Sequence, residues 1–545
     1  MTKPRRHGGT EKERFTKLRV ALSPWPRRSR ISLFATFAFF ALFAVQGRLQ
    51  QRPPSIDVVD LSVADAQRRM AAGTLTSRAL TRAYLDRIAA VDDSGPQLNA
   101  VIDINSAALT DAEGRDAERR AGRTRGPLHG IPVLVKDNID VAGMVNSAGS
   151  LAFVDNRPKA DAFLIRRLRD AGIVILGRTN LSEWANFRSN QSTSGWSSRG
   201  GQTKNAHVLD RNPCGSSSGS AVAAAASLAP VAIGTETNGS IICPASVNGV
   251  VGLKPTVGLV SRAGIIPIAS TQDTAGPIGR TVADVAALLG AMTGVDPRDP
   301  ATKASRGLPD YTAFLNRDAL NGQRLGVFRT PGMPADVDAA LTAALAAMQK
   351  AGATIVDIHI AGAPGGDQLE VLLYEFKDGL TKYLATSTSA QKSLAALIAW
   401  NQANAARVMP LFGQELFERA QSKGPLTDKA YVEALAAVRR RVGPDGLLGA
   451  IEREKLAAVV TISTGPAWPV DGPRGDRAGL IGGYGAAAIA GTPSITIPVG
   501  ESRGLPFGLT FMGPAFSEPQ LIGMAYALEQ RLNARRTPRF LPTLR

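Results

Sequence analysis

Three residues, one lysine and two serines, carry the chemistry that this sequence predicts. Lys136 ends an apolar run that begins at Ile131, and Ser216 and Ser240 each lie in a segment rich in glycine and serine. A buried lysine loses its proton readily because burial disfavours the ammonium form, so it can act as a general base near neutral pH. A serine hydroxyl becomes a nucleophile when a base takes its proton. The three residues therefore indicate a hydrolase that cleaves amides without histidine.

Two of these residues have sequence surroundings that predict how they are positioned. The apolar run from Ile131 to Val135 predicts a buried strand that places Lys136 at its end. Ser216 lies in the Gly/Ser-rich segment 214–220, which leads into an alanine-rich stretch of strong helix formers. We therefore expect several serine hydroxyls to gather where a helix begins.

Small residues surround the other serine. Ser240 follows a short predicted strand, Val231 to Ile233, and the turn sequence Gly-Thr-Glu-Thr-Asn-Gly. Such residues let backbone amides turn toward a common point, which is how an oxyanion hole is built.

Taken together, these segments resemble the amidase signature family, whose hallmark is a Gly/Ser-rich segment covering two serines, with a lysine far upstream. Here Ser216 and Ser240 are separated by a short stretch of chain, and Lys136 lies well before both. Segments 249–261, 272–277 and 504–509 continue the family pattern, so the resemblance extends over roughly residues 57 to 530. It implies an α/β fold, in which a large mixed β-sheet is layered by α-helices on both faces.

Carried over by position, the resemblance implies a role for each residue. Ser240 would be the nucleophile, Ser216 a bridging serine preceded by a cis peptide bond, and Lys136 the base. The oxyanion amides would come from Thr237, Asn238, Gly239 and Ser240. The implied reaction is hydrolysis of a carboxylic or peptide C-terminal amide to acid and ammonia through an acyl-enzyme, with no metal or organic cofactor.

Two departures from the common family pattern narrow the expected branch. Asn238 stands where glycine is usual, and Ile242 stands where many members, including the subunit that amidates glutamyl-tRNA, carry arginine. With Cys243-Pro244, the sequence is most similar to the peptide amidase-like branch. The expected partner is a small-molecule or peptide amide. Two alternatives stay open: a partner-dependent amidotransferase-like subunit, and a non-catalytic binding protein of the cell envelope.

A different fold would assign the nucleophile differently. Residues 215–219 match the Gly-x-Ser-x-Gly elbow of α/β-hydrolases, with Ser217 as the nucleophile. That elbow must follow a strand, whereas residues 204–213 are polar and predict a loop. His359 is the only histidine further along, and it lies in a strand-like alternating segment. Ser217 and Ser218 are therefore predicted to cap a helix or to form hydrogen bonds.

The chain contains two cysteines, Cys214 and Cys243, and each lies beside one of the serine turns. The fold implied by the resemblance would bring these turns close together. A disulfide could form in an oxidising compartment, but small buried thiols that fill the wall of the site are the simpler prediction.

The formal net charge of +17 is concentrated at the start of the chain. Residues 1–50 hold eleven Lys/Arg and two Glu, so they carry +9 of it, and no basic cluster interleaved with aromatics follows. Nucleic-acid binding is therefore not predicted. The fifteen uncharged residues 31–45 suit the core of a signal peptide better than a membrane span, with an uncleaved membrane anchor as the alternative. We expect an exported protein of the periplasm or cell envelope.

The expected domain organisation follows from these observations. Residues 1–50 would form the cationic leader and residues 51–545 a single amidase domain with its catalytic core at 136–280. A helix-rich region, about 296–450, and the segment 464–468 are expected to lie over the cleft and select the acyl group.

Local signals also predict individual elements near the start of this domain. Ser62 with Asp65 predicts a helix that ends near residue 73, and Ser77 predicts the start of another. A further helix is expected at 161–171 and a strand at 173–176.

Overall fold

A mixed β-sheet organises the residues that a computed structural model describes, which are 56–360 and 365–544. Its eleven strands lie in the order β1-β3-β2-β6-β8-β7-β12-β13-β11-β9-β10, and β4 and β5 form a separate ribbon. The strands are β1 Val101–Ile104, β2 Pro132–Lys136, β3 Val174–Thr179, β4 Trp196–Ser197, β5 Gly201–Gln202, β6 Val231–Glu236, β7 Val251–Lys254, β8 Thr274–Gly279, β9 Arg324–Val327, β10 Thr354–Asp357, β11 Ala458–Ile462, β12 Ser494–Ser502 and β13 Leu505–Met512.

Helices flank this sheet, which confirms the predicted fold class. They are α1 Val63–Ala71, α2 Ser77–Arg87, α3 Ala108–Arg120, α4 Phe163–Asp170, α5 Ser218–Ala225, α6 Ile242–Val247, α7 Val282–Met292, α8 Ala335–Lys350, α9 Gly365–Thr386, α10 Leu394–Ala403, α11 Ala405–Val408, α12 Glu415–Gln421, α13 Lys429–Val442, α14 Leu447–Glu454, α15 Gly485–Ala490 and α16 Glu518–Leu532.

The pairing of β2 with β6 creates the edge on which the site is built. The two strands are parallel and in register, with Val133 opposite Val231 and Val135 opposite Ile233. Parallel neighbours end at the same edge of a sheet, so Lys136, the last residue of β2, comes beside Thr235 and Glu236 at the end of β6. Both strands are buried along their whole length, as expected for strands covered by helices on both faces.

The predicted local elements near residue 60 form with small shifts of their ends. The hydroxyl of Ser62 accepts the N–H of Asp65 at 3.0 Å and caps α1. Helix α2 is capped one residue earlier than predicted: Thr76 accepts the N–H of Ala79 at 3.0 Å, which leaves Ser77 Oγ free to donate to the carbonyl of Gly130. Helix α4 and strand β3 occupy the positions predicted for them.

The region predicted to be helix-rich contains α8 to α13 and also the strands β9 and β10. These strands extend the far edge of the sheet, so the region is part of the sheet as well as of the cleft. Within residues 56–360 and 365–544, no helix combines the length and apolar character needed to cross a bilayer. The apolar segment 31–45 lies outside the described residues.

Candidate active site

Lys136 lies fully buried at the end of β2, surrounded by oxygen atoms. Its Nζ is 2.8 Å from Ser216 Oγ and 3.0 Å from Ser217 Oγ. It is also 2.9 Å from Thr235 Oγ1 and 3.2 Å from the Thr235 carbonyl oxygen. The lysine and serine that the sequence singled out, although distant from each other in the chain, are therefore in hydrogen-bond contact.

Burial changes the protonation of this lysine. Loss of solvent lowers the pKa of Lys136 from 10.5 to about 7, and the negative charges of Glu236 and Asp273 oppose part of that shift. The neutral form of Lys136 is therefore accessible near neutral pH. A neutral amine has a lone pair that can accept a proton, as a general base requires.

The Gly/Ser-rich segment places Ser216 and Ser217 at the start of α5. The peptide bond between Gly215 and Ser216 is cis, as the family resemblance implies. Ser217 occupies the helix N-cap position, but its side chain forms no capping bond. Instead its hydroxyl donates to the Thr235 carbonyl at 3.0 Å and accepts the Thr235 N–H at 3.2 Å. The predicted hydrogen-bonding role of Ser217 is correct and the capping role is wrong.

The segment from Thr237 to Ser240 turns sharply after β6. Gly239 has a φ of +80° and its α-carbon lies against the ring of Tyr484, where a β-carbon would come within 2.5 Å of Cε2. Only glycine satisfies both conditions at once. The carbonyl of Ser240 accepts the N–H of Ser217 at 3.1 Å, which joins the two serine turns.

The backbone N–H groups of this turn are free to donate hydrogen bonds to a bound molecule. Within the described chain, the N–H groups of residues 237–240 donate no hydrogen bond to the protein. Asn238 is exposed, but Thr237, Gly239 and Ser240 are buried, where amides are normally paired, so their unpaired N–H groups suit an anion that forms there transiently. These are the amides of Thr237, Asn238, Gly239 and Ser240, the residues that the sequence predicted for an oxyanion hole.

Two carboxylates that were given no role in the sequence analysis hold this turn in place. Glu236 accepts the N–H groups of Ile241 at 2.7 Å and Ile242 at 3.0 Å, at the start of α6. Asp273 accepts the hydroxyl of Thr237 at 2.6 Å, and burial raises the pKa of Asp273 to about 6. Both carboxylates lie in segments that carry the family resemblance, Glu236 in the turn before Ser240 and Asp273 in segment 272–277. The sequence therefore drew attention to these segments but did not indicate that the carboxylates hold the turn.

The cysteines require a correction. Cys214 and Cys243 form a disulfide, with Cα atoms 6.0 Å apart, rather than the pair of free thiols that the sequence favoured. The bond joins Cys214, which precedes Gly215, to Cys243 in α6, the helix that follows Ser240. The fold brings the two turns close enough for bonding because both pack at the same edge of the sheet.

A cavity of about 610 Å³ opens over these residues and is lined by Ser216 and Ser240. Its opposite wall comes from the apolar segment 265–268 and from α9, through residues 375–386. Helix α9, which belongs to the predicted helix-rich region, lines this cavity, whereas none of the residues 464–468 does. The role of either segment in selecting the acyl group stays a prediction. Trp468 packs instead in the apolar cluster beside the disulfide.

The alternative with Ser217 as nucleophile is excluded by the same geometry. Ser217 is fully buried, its hydroxyl is engaged by Lys136 and Thr235, and it does not line the cavity. The segment before it is a loop with isolated bridges rather than a strand.

Comparison with known protein families agrees with this geometry. A family model described as amidase matches residues 79–522. The chain belongs to the amidase family. Membership makes the protein an amidase, an enzyme that hydrolyses amide C–N bonds, and agrees with the mixed sheet flanked by helices.

Individual relatives of this amidase point to a branch. The solved peptide amidase from Stenotrophomonas maltophilia is 55% identical, with a TM-score of 0.85, and the match covers 88% of this chain and 99% of that one. A probable amidase of Arabidopsis thaliana is 40% identical over 501 residues, covering 89% of this chain and 91% of its own length. A glutamyl-tRNA(Gln) amidotransferase chain of Halorhodospira halophila is 35% identical over 495 residues, 86% of this chain and 96% of that one. The amidase is thus similar to the peptide amidase branch, as predicted.

Proposed function

We propose that this amidase removes the C-terminal amide of peptides, releasing ammonia, through Ser240, Ser216 and Lys136. The observation that carries the proposal is the 2.8 Å contact between Lys136 Nζ and Ser216 Oγ in a water-excluded site. The 55% identity to a peptide amidase supports the choice of substrate.

The hydrogen bonds around Lys136 indicate where its lone pair points. Ser217 Oγ gives its own proton to the Thr235 carbonyl, so it can only accept from Lys136. The Thr235 carbonyl, 3.2 Å from Nζ, is also an acceptor. A neutral lysine has two N–H groups and one lone pair for its four oxygen neighbours, which include Thr235 Oγ1 at 2.9 Å. The proposed relay assigns the lone pair to the hydroxyl proton of Ser216, 2.8 Å from Nζ.

The proposed proton relay uses Lys136 and the two serines that line the cavity. Lys136 takes the proton of Ser216 while Ser216 takes that of Ser240, whose oxygen bonds to the substrate carbonyl carbon. When the C–N bond breaks, Ser216 gives a proton to the departing nitrogen, which leaves as ammonia, and Lys136 returns its proton to Ser216. Water then attacks the acyl-enzyme through the same relay, releasing the acid and restoring Ser240.

The turn from 237 to 240 stabilises the negative oxygen of each tetrahedral intermediate. Its unpaired N–H groups lie beside Ser240. The turn that carries them is held in place by Glu236, which bonds the N–H groups of Ile241 and Ile242, and by Asp273, which bonds the hydroxyl of Thr237. Loss of one such donor typically costs about 10²- to 10³-fold in kcat, so this turn supplies a large share of the rate.

The test is ammonia release from C-terminal peptide amides and from simple aliphatic and aromatic amides. We expect release from peptide amides, reduced to the background rate by Ser240→Ala. Ser422→Ala, a change at an exposed serine outside the cavity, serves as the matched control and should retain full activity. Release that survives Ser240→Ala would contradict the assignment of the nucleophile. Release only on addition of partner subunits would favour an amidotransferase-like role.

We also propose that the protein is exported to the periplasm or cell envelope. The uncharged segment 31–45 suggested this from the sequence, and the Cys214–Cys243 disulfide supports it because such bonds are rare in reducing cytoplasm. Fractionation of cells, with detection of the protein by antibody, tests the proposal. Recovery in the cytoplasmic fraction with reduced cysteines would overturn it.

A further inference from the structure

The side chain of Asp273 joins two parts of the cavity wall that lie in different segments of the chain. The first is the turn 237–240, which we call the oxyanion turn, and the second is the apolar segment 265–268, which we call the apolar wall. One carboxylate oxygen of Asp273 accepts the hydroxyl of Thr237 at 2.6 Å. The other oxygen accepts the backbone N–H groups of Ile268 at 2.7 Å and of the next residue at 2.9 Å. A single carboxylate therefore links the oxyanion turn to the apolar wall.

The residue before Asp273 strengthens this link. Gln272 Nε2 donates to the carbonyl oxygen of Thr237 at 3.1 Å, so Thr237 is held through its hydroxyl by Asp273 and through its backbone by Gln272. The backbone N–H of Asp273 in turn donates to the carbonyl of Ala269 at 2.9 Å. Two neighbouring residues, directly before β8, thus bind the oxyanion turn on one side and the end of the apolar wall on the other.

The apolar wall is also packed from behind. Ile266 and Ile268 are buried in an apolar cluster with Phe376 and Leu380, both of which belong to α9. The same isoleucines line the cavity. An apolar side chain of a substrate that binds in the cavity therefore meets a packed surface rather than a loose loop.

The link matters for the chemical step. In the proposed reaction the substrate carbonyl oxygen becomes negative beside the N–H groups of the oxyanion turn. This stabilisation requires the oxygen to lie within hydrogen-bond distance of these donors, and a misplacement of about 1 Å can cost about 10²-fold in rate. Because the apolar wall and the oxyanion turn are bonded to the same carboxylate, a substrate that packs against the wall has its carbonyl held at a fixed place relative to the turn.

We propose that Asp273 is a positioning residue that makes the rate of the chemical step depend on how well the substrate fills the apolar wall. The inference rests on the proposed function. A large apolar side chain on the residue that carries the amide should raise kcat rather than lower KM, because its binding is used to place the carbonyl. Without the link, the same side chain would still bind to the wall, but its binding would appear in KM.

The experiment measures kcat and KM for ammonia release from N-acetylated dipeptide amides that end in glycine, alanine or leucine amide. For the wild type we expect kcat to rise about tenfold from glycine to leucine, the lower end of what burial of a leucine side chain supplies, with little change in KM. Thr237→Val removes the hydroxyl that Asp273 accepts. It leaves in place the negative charge of Asp273, which raises the pKa of Lys136. In this variant the leucine-to-glycine ratio of kcat should fall close to one, and leucine should instead lower KM.

Two further variants serve as controls for Thr237→Val. Thr237→Ser keeps the hydroxyl, so kcat should still depend on the substrate side chain as in the wild type. Thr342→Val makes the same change at an exposed position of α8, outside the cavity, and should leave kcat and KM unchanged. Thermal unfolding verifies that each variant is folded.

Gln272→Met provides an independent test, because it removes the second bond to Thr237 and leaves the carboxylate unchanged. It should lower the leucine-to-glycine ratio of kcat as well. A wild-type ratio close to one, or a ratio that persists in folded Thr237→Val and Gln272→Met, would overturn the inference and leave the proposed function standing. Absence of ammonia from every amide would overturn the proposed function itself.

Discussion

Two buried lysines occupy similar positions in this amidase and differ in what surrounds them. Lys136 ends β2 and Lys254 ends β7, and both side chains are fully buried. Burial lowers the pKa of Lys136 to about 7 and that of Lys254 to about 8, and the charge of Glu236 opposes the shift at both. By strand position, burial and pKa, the two residues are nearly equivalent.

Their hydrogen-bond partners separate them. Lys136 Nζ contacts the hydroxyls of Ser216, which lines the cavity, and Ser217, whereas Lys254 Nζ donates to the carbonyl of Pro255 at 3.1 Å. A lowered pKa therefore shows that a lysine can give up its proton, but it does not identify a catalytic base. A base also needs a hydroxyl within reach whose proton it can accept.

The largest expected difference is in activity after each lysine is replaced by methionine. Lys136→Met should lower kcat/KM by about 10²- to 10⁴-fold, the usual contribution of a general base. Lys254→Met should retain most of the activity, because its partner is a backbone carbonyl. The measurement is ammonia release from a peptide amide, with circular dichroism to verify folding of both variants. Equal losses in two folded variants would remove the distinction between the lysines.

Removal of the Cys214–Cys243 disulfide should have the next largest effect, which is a loss of stability. It closes a loop of 29 residues, so its removal in the Cys214→Ser/Cys243→Ser variant should lower the free energy of unfolding by about 3–4 kcal/mol. The midpoint of thermal unfolding should fall accordingly. Wild-type protein treated with a reductant is the control and should shift by the same amount. An unchanged midpoint in both samples would show that packing alone holds the two serine turns together.

The pH dependence of catalysis should follow Lys136. The base works when neutral, so kcat/KM should be high above about pH 7 and fall about tenfold per pH unit well below it. Lys254→Met should leave this inflection where it is. The measurement is kcat/KM for a peptide amide between pH 5 and 9, within the range in which both proteins stay folded. An inflection that moves in Lys254→Met would show that it had been assigned to the wrong lysine.

The smallest expected effect concerns Glu236, whose negative charge raises the pKa of both Lys136 and Lys254. The negative charge of Glu236 raises the pKa of Lys136, so Glu236→Gln should lower it and move the inflection to lower pH by about one unit or less. The plateau of kcat/KM is expected to fall as well, since Glu236 holds the N–H groups at the start of α6. The measurement is the same pH profile of kcat/KM, and a shift to higher pH would contradict the charge effect.

Much of the site could be predicted because its residues occur in locally informative segments. Lys136 follows an apolar run that predicted a buried strand, and it is the last residue of β2. Ser216 and Ser240 stand in turns of small residues next to a helix and a strand, and both line the cavity. The resemblance to a family then linked segments that local patterns could not connect.

Other features of the site depend on contacts between distant segments. The disulfide was not preferred from the sequence because nothing local tells whether two cysteines lie 6.0 Å apart. Thr237 directly follows β6 and Asp273 directly precedes β8, so their hydrogen bond forms only when β6 pairs with β8. The packing of Trp468 in the apolar cluster beside the disulfide has the same cause, since an aromatic residue in a loop gives no signal for the cluster it joins.

The sequence by itself determined the strands β2, β3 and β6, the two serine turns and the chemical types of the candidate site residues, because these follow from local patterns of apolar, small and ionisable side chains. The tertiary structure alone decided which of two buried lysines meets a serine. It also decided which carboxylates hold the turn from Thr237 to Ser240 and that α9 lines the cavity. These properties depend on the order of strands in the sheet and on the packing of α9 across it, which bring together residues that are distant in the chain.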